Sequence, residues 1–464
     1  MSGITRPVAS GAHTEAVERL VDSYSHIAPG QTVRLAKPTS NLFRGREGVV
    51  SGLDVSGLRG VLSVDPVART ARVQGMCTYE DLVDATLPYG LIPLVVPQLR
   101  TITLGGAVTG LGIESTSFRH GLPHESVIEM DVLTGSGEVV TARPDNEHRD
   151  LFFAFPNSYG SLGYAVSMLI ELEPVKSRVG LRHLHLSTTD DLAQVIAEVV
   201  RSRAWEGIGV DGLDGIAFSP GHYALTLATW TDREGPTSDY TGQQIYWSSV
   251  AERDTDLLTT YDYLWRWDTD WFWCSRAFGA QHRIVRRLWP RAKRRSDVYH
   301  RLVGLDRRFK ISDRLDRRAG RPQAERVVQD VEVPLERLGE FLDWFDQAVG
   351  LRPVWLCPLR LRDPEATGTR PWSIYPLLAG ETYVNVGFWG NVPVGPEAPA
   401  GPRNRAIEAM VTSLGGHKSL YSEAFYSPEE FAAHYNGQHL TEIKRRYDPD
   451  NRLTSLYDKV VRQL

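Results

Sequence analysis

Cysteine is scarce in this chain: Cys77, Cys274 and Cys357 are the only three in 464 residues, and they lie far apart. That excludes a disulfide framework and a cysteine-based metal site, so no metal is expected, and it points to a reducing cytoplasm. The pattern G-x-x-x-x-G-K-[ST] is absent, which excludes a P-loop. No G-x-G-x-x-G opens a helix after an apolar strand; Gly106, Gly110 and Gly112 have the wrong spacing, and no nicotinamide fingerprint is present. No apolar run approaches the roughly 18 residues of a membrane span. The first residues, Met1 to Ser10, lack the apolar core of a signal peptide. A net charge of −5 gives no reason to expect a nucleic-acid partner.

Glycine, by contrast, is concentrated. Between Thr103 and Gly121 it occupies positions 105, 106, 110, 112 and 121. Such a run reads either as a tight buried turn system or as a wall of exposed backbone N–H groups facing a phosphate-bearing cofactor. Within it Glu114 is the one acidic side chain. A second glycine turn, Asn157-Ser158-Tyr159-Gly160-Ser161-Leu162-Gly163, precedes an apolar strand over residues 165–172.

Length predicts two to three domains. Hairpins are expected over 60–75 and 127–141, and short helices after Thr78 and at 150–155. Composition changes after Pro174. From there a strand, a helix with Leu192, Val195, Ile196 and Val199 on one face, and two strands are followed by a second set of the same order. That second set has Leu338, Phe341, Leu342 and Phe345 on its helix. The repetition predicts one mixed sheet with helices on one face. The intervening residues, about 240–320, are aromatic and basic and expected to be largely helical. Ser427-Pro428-Glu429-Glu430 is a capping box.

Four segments together carry a resemblance: Lys37-Pro38-Thr39-Ser40-Asn41, the glycine run, Asn157 to Gly163, and the terminal Lys444 to Leu453, K-x-x-Y-D-P-x-N-x-L. In these the chain resembles flavoproteins of the vanillyl-alcohol-oxidase type. The resemblance implies an α+β protein with a two-part FAD-binding domain, residues 1–176 and 406–464, around an α/β cap at 177–405. It implies cofactor contacts from Lys37, Pro38, Thr39, Ser40, Asn41 and Leu42, from Pro97, Gln98, Thr101, Thr103, Gly105 and Gly106, and from Thr109, Gly110, Gly112, Ile113 and Ser117. Asn157, Gly160, Ser161, Gly163 and Val166 complete that set. Covalent members carry His in the first loop; here it is absent, so FAD is expected to be held noncovalently.

Gly112-Ile113-Glu114-Ser115, Val327 to Asp330 and Trp355-Leu356-Cys357-Pro358 are similar to delta-24-sterol reductases. Leu35 to Leu42 and Trp265 to Trp273 are more similar to actinobacterial flavoproteins that reduce 10-methylene acyl chains in the tuberculostearic acid route. This implies NADPH as electron donor and a lipid acyl substrate of the kind esterified in phospholipids. Alternatives are a sterol side-chain reductase, an alcohol or sugar oxidase or dehydrogenase, and a lipid-binding flavoprotein that partners a methyltransferase without turning over.

An isolated alkene has no carbonyl to accept charge. Its reduction needs a proton donor on one carbon, hydride on the other, and tolerance of transient cation character. The aromatic segment Tyr261 to Trp273 offers faces for a cation. Burial raises a carboxyl pKa and makes a donor near neutrality. The candidates are Glu114, Asp268, Asp270, Asp330 and Glu332, with Arg266 among the aromatics and Tyr421 and Tyr426 as weaker donors. Each carboxylate reads equally as a salt-bridge partner or cap. Finally, Arg283 to Lys310 is dense in arginine, interleaved with Leu288, Trp289 and Tyr299. This reads as a solvated helix face or as a peripheral patch at the inner membrane surface.

Overall fold

The computed structural model describes residues 8–37, 52–309, 322–362, 368–395 and 397–463. Two antiparallel sheets organise it. The first contains β1 (Val61–Asp65), β2 (Thr70–Gln74), β3 (Leu91–Pro93), β4 (Val127–Leu133), β5 (Val139–Ala142) and β6 (Tyr164–Pro174). Its order is β1-β2-β6-β4-β5, with β3 also paired to β6. Both expected hairpins are present, and β6 is the hub that pairs with β2, β3 and β4.

The second sheet begins with β7 (Arg178–Leu186). A small ribbon, β8 (Ala204–Trp205) and β9 (Ile208–Gly209), stands aside. Then come β10 (Gly212–Ser219), β11 (His222–Thr231), β12 (Thr255–Thr259), β13 (Ala324–Pro334), β14 (Val354–Leu359), β15 (Tyr383–Pro393) and β16 (His417–Lys418). Their order is β12-β7-β11-β10-β14-β15-β13-β16. The expected sheet was mixed; the observed pairings are all antiparallel. The reason is local. Each helix is followed by two strands joined in sequence, β10 with β11 and β14 with β15, and such neighbours pair as antiparallel ribbons.

One face of this sheet is apolar and covered by helices. Leu192, Val195, Ile196 and Val199 of the helix Thr189–Ser202 pack there, as do Leu338, Phe341, Leu342 and Phe345 of Leu338–Ala348. Their sheet partners are Leu213, Leu225, Val331, Leu356, Val384, Val386 and Phe388. Each such buried side chain contributes about 1.5–3 kcal/mol. The Thr188 hydroxyl caps the first helix by accepting from Asp191 N. The helix Pro402–Ser413, just at the 405/406 boundary, adds Ile407 and Val411 to the same cluster. Residues 240–309 are largely helical: helices at Tyr246–Val250, Thr260–Leu264, Arg283–Leu288 and Ser296–Phe309 alternate with turns, and β12 joins the sheet edge. No described helix is long and apolar enough to cross a membrane.

Candidate functional site

The glycine run is not an open wall. Thr103 caps a short helix, Leu104–Thr109, by accepting from Gly106 N at 3.2 Å. None of its glycines between 105 and 112 has positive φ; Gly121 does, at 69°. The glycines are needed for close approach instead. Gly105 N donates to Gly75 O at 2.9 Å, and a Cβ on Gly105 would lie 2.6 Å from that oxygen. A Cβ on Gly75 would in turn collide with Ala165 O on β6. Three backbones therefore stack directly on one another. Gly112 is wedged the same way between Pro97 and Pro123.

The second glycine turn does use the left-handed region. Asn157, Tyr159 and Gly160 have φ of 63°, 49° and 75°. Tyr159 N donates to Thr109 O at 2.8 Å, which joins this turn to the glycine run. Lys459 Nζ donates to Gly160 O at 2.8 Å, so the C-terminal segment holds it from the other side. The Ser158 and Ser161 hydroxyls are buried and have no hydrogen-bond partner among the described residues. Buried hydroxyls left open beside a left-handed turn fit a phosphate-bearing cofactor.

The other expected cofactor residues are placed as follows. Lys37 is half-buried at the edge of the described chain, and Pro38, Thr39, Ser40, Asn41 and Leu42 lie outside the described residues. Gln98 Nε2 donates to Ile113 O at 2.8 Å. Thr109 Oγ1 donates to Gly105 O. Gly110 lies against the Tyr159 ring. Ser117 Oγ accepts from Glu114 N at 3.2 Å and so sets the turn that carries Glu114. Gly163 fits against the Leu133 backbone, and Val166 O accepts from Gly75 N. Pro97 is buried, while Thr101 is half-exposed in the turn before Thr103.

The sheet face opposite the helices is polar and buried. Register aligns Asp214 with Thr226 and Thr226 with His183. It also aligns Cys357 with Asn385, Asn385 with Glu332, and Glu332 with His417. The Gly215–Leu356 pairing puts Cys357 beside Asp214. One continuous row therefore crosses seven strands: His183, Thr226, Asp214, Cys357, Asn385, Glu332, His417. All are buried.

Glu114 and Arg266, far apart in sequence, meet at this row. Arg266 Nη2 lies 2.8 Å from Glu114 Oε1 and 2.9 Å from Asp214 Oδ2. Asp214 Oδ2 also accepts from the Trp267 and Trp355 indoles, at 3.2 and 3.4 Å. Arg266 stacks over Tyr263, 4.1 Å from its ring centre, and the Tyr263 hydroxyl is 2.6 Å from Ser115 Oγ. Burial pushes the Glu114 carboxyl above its ordinary range; Arg266 opposes this and Asp214 adds to it. One cation thus serves two buried carboxyls, Glu114 and Asp214. A small cavity of about 10 Å³ adjoins them, walled by Glu114, Ser115, Thr116, Tyr263 and Arg266 on one side and by Ile92, Pro93, Leu94, Val96, Trp230 and Leu264 on the other.

The remaining candidates are not in this cluster. Asp268 accepts from Arg100 N at 3.1 Å and from Ser296 Oγ at 2.5 Å, and ties residues 265–273 to their neighbours. Asp270 is buried without a side-chain hydrogen-bond donor among the described residues, and burial raises its carboxyl well above the usual range. Asp330 lies on β13 beside Tyr421 and 3.3 Å from Asn385 Nδ2; burial pushes it up to about 7. Gly387 faces it, and a Cβ there would collide with Asp330 Oδ1. Glu332, also raised by burial, is 3.2 Å from His417, whose imidazole burial lowers to about 3. Tyr426 packs with His434 and Tyr435 in the C-terminal segment. Among the described residues, no metal-ligating cluster occurs.

Sequence reasoning missed Asp214, Asn385, Ser115 and Tyr263. A signal existed for the first two: a polar residue, Asp214 or Asn385, flanked by apolar ones in the strands Gly212–Ser219 and Tyr383–Pro393.

Comparison with known proteins bears on the cofactor and the reaction class. Residues 15–143 match the FAD binding domain family. The chain is 25% identical to Delta(24)-sterol reductase of Arabidopsis thaliana over 443 residues, 88% of this chain and 76% of that protein. It is 25% identical to the Homo sapiens Delta(24)-sterol reductase over 423 residues, 87% and 76% of the two chains. Cytokinin dehydrogenase 6 of Oryza sativa subsp. japonica is 36% identical over 137 residues, 30% of this chain and 26% of that one. The N-terminal unit is an FAD-binding domain of the vanillyl-alcohol-oxidase type within an α+β fold.

Proposed function

We propose that this FAD-dependent oxidoreductase reduces an isolated carbon–carbon double bond in a lipid. The observation that carries the reading is the buried Glu114–Arg266–Asp214 cluster beside a hydrocarbon-lined cavity. FAD, when bound noncovalently and reduced, supplies the hydride. The chain's own residues supply the rest. Ile92, Leu94, Val96, Trp230 and Leu264 exclude water and orient an apolar chain. Glu114 holds a proton at its carboxyl and delivers it to one alkene carbon. Arg266 then balances the carboxylate that remains, with Asp214 holding the guanidinium in place. Trp230 and Tyr263, the aromatic side chains in the cavity wall, tolerate positive character on the neighbouring carbon.

The substrate we favour is a 10-methylene acyl chain, reduced to a 10-methyl chain with NADPH as donor. Protonation at its CH2 leaves charge on a tertiary carbon. A methyltransferase that installs the methylene group would be its functional partner. The similarity to Delta(24)-sterol reductases favours a second reading, a sterol side chain, which poses the same chemical problem. The cytokinin dehydrogenase match covers only 30% of the chain and bears on the cofactor rather than the substrate. The test is anaerobic: NADPH should bleach the flavin, and a methylene-acyl phospholipid should restore its colour and gain two hydrogens by mass spectrometry. Reoxidation by a delta-24 sterol alone would select the second reading. Bleaching by an alcohol would replace both with an oxidase.

A further inference from the structure

The arginine-rich segment after residue 282 divides into two sets. Arg286 and Arg294 point inward. Arg286 donates to the Gln243 and Gln244 carbonyls, both at 2.7 Å, and Arg294 bonds to the Gly242 and Trp289 carbonyls. They staple the segment to residues 242–244. Ser296 continues the attachment through Asp268, only two residues from Arg266. The segment is thus a fixed platform connected to the wall of the candidate site.

Its outer surface differs in kind. The helix Arg283–Leu288 places Ile284 and Leu288 at i and i+4, on one face, 66% and 78% exposed. Around them Arg283, Arg287 and Lys293 are exposed and have no acidic partner among the described residues. Arg291 is partly neutralised by Asp239 at 2.9 Å. Two large apolar side chains projecting from a rigid platform, ringed by uncompensated cations, match an interface with apolar depth and negative surface charge.

We infer that this platform docks the enzyme onto an anionic lipid bilayer, with Ile284 and Leu288 inserted below the headgroups and Arg283, Arg287 and Lys293 at the phosphate level. The inference does not depend on the lipid reduced, because vesicle binding is read without turnover.

The test uses the full chain loaded with FAD and co-sedimentation with phosphatidylcholine vesicles, with and without phosphatidylglycerol. Binding should require phosphatidylglycerol and fall with added salt. The triple variant Arg283→Glu, Arg287→Glu, Lys293→Glu should lose on the order of 100-fold in affinity. The double variant Ile284→Ser, Leu288→Ser should lose roughly tenfold or more while keeping every charge. Circular dichroism should match the parent in both, since these side chains project into solvent. No preference for anionic vesicles, or parental binding by both variants, would overturn the inference. So would an unaffected double variant, which would mean adsorption by charge alone. Equal binding of soluble polyglutamate with the same sensitivity at Ile284 and Leu288 would replace the bilayer with an acidic protein.

Discussion

The polar row across the eight-stranded sheet buries carboxyls at both ends of its central part, and the two ends solve the problem differently. Near β10, Glu114 and Asp214 share Arg266. On β13, Asp330 and Glu332 have no lysine or arginine in contact among the described residues; Asn385, Tyr421, Ser419 and His417 surround them. A buried charge without a partner is costly enough that the group keeps its proton instead. At the β13 end burial therefore favours the protonated carboxyls, held by hydrogen bonds. The β10 end sets its two carboxyls against a fixed cation. Only the second arrangement can give up a proton and remain electrostatically supported, which is why we assign the chemistry to Glu114 rather than to Asp330.

Breaking the charged end should have the largest effect. Arg266→Leu strands two carboxyls without their cation, and should cost about 3–5 kcal/mol in urea unfolding. Arg266→Lys should recover part of this but not the shared contact to both carboxyls. Glu114→Gln keeps the shape and removes the proton. It should lower turnover by about 100-fold or more with FAD content unchanged; parental turnover would move the donor elsewhere.

At the neutral end, Gly387→Ala forces a methyl against Asp330 and should destabilise by roughly 1–3 kcal/mol. Asp330→Asn sharpens the comparison through pH. The native carboxyl, raised to about 7, binds up to one proton more than the unfolded chain between about pH 4 and pH 7. Its contribution is complete at acid pH and is lost as pH rises through that window. Asp330→Asn should remove that loss. The difference between the two proteins isolates it, because buried His124, His183 and His417, all lowered by burial, act in the opposite direction. An identical pH dependence in both would show Asp330 ionised in the fold.

Local features were legible in the sequence. The Thr78, Thr188 and Ser427 caps, the hairpins and the two amphipathic helices follow from short-range pattern. The helix Leu104–Thr109 was not legible, because its glycines oppose helix propensity and are required by strands packed beneath it. The pairing of Glu114 with Arg266 was also invisible: 152 residues separate them, and long-range packing brings the glycine run and the Tyr261 to Trp273 segment together. Asp268 and Asp270 looked equivalent to Arg266 by proximity along the chain. The turns after Leu264 point them to different neighbours.

The passage from β6 to β7 has a mechanical consequence. Pro174 ends one sheet and Arg178 begins the other, so three residues join them. Those residues are clamped: Val175 N bonds Gly90 O, Thr260 N bonds Ser177 O, and Thr260 Oγ1 bonds Lys176 O at 2.5 Å. A clamped splice of this length cannot act as a hinge. The two sheets should swing as one lever rather than part like jaws.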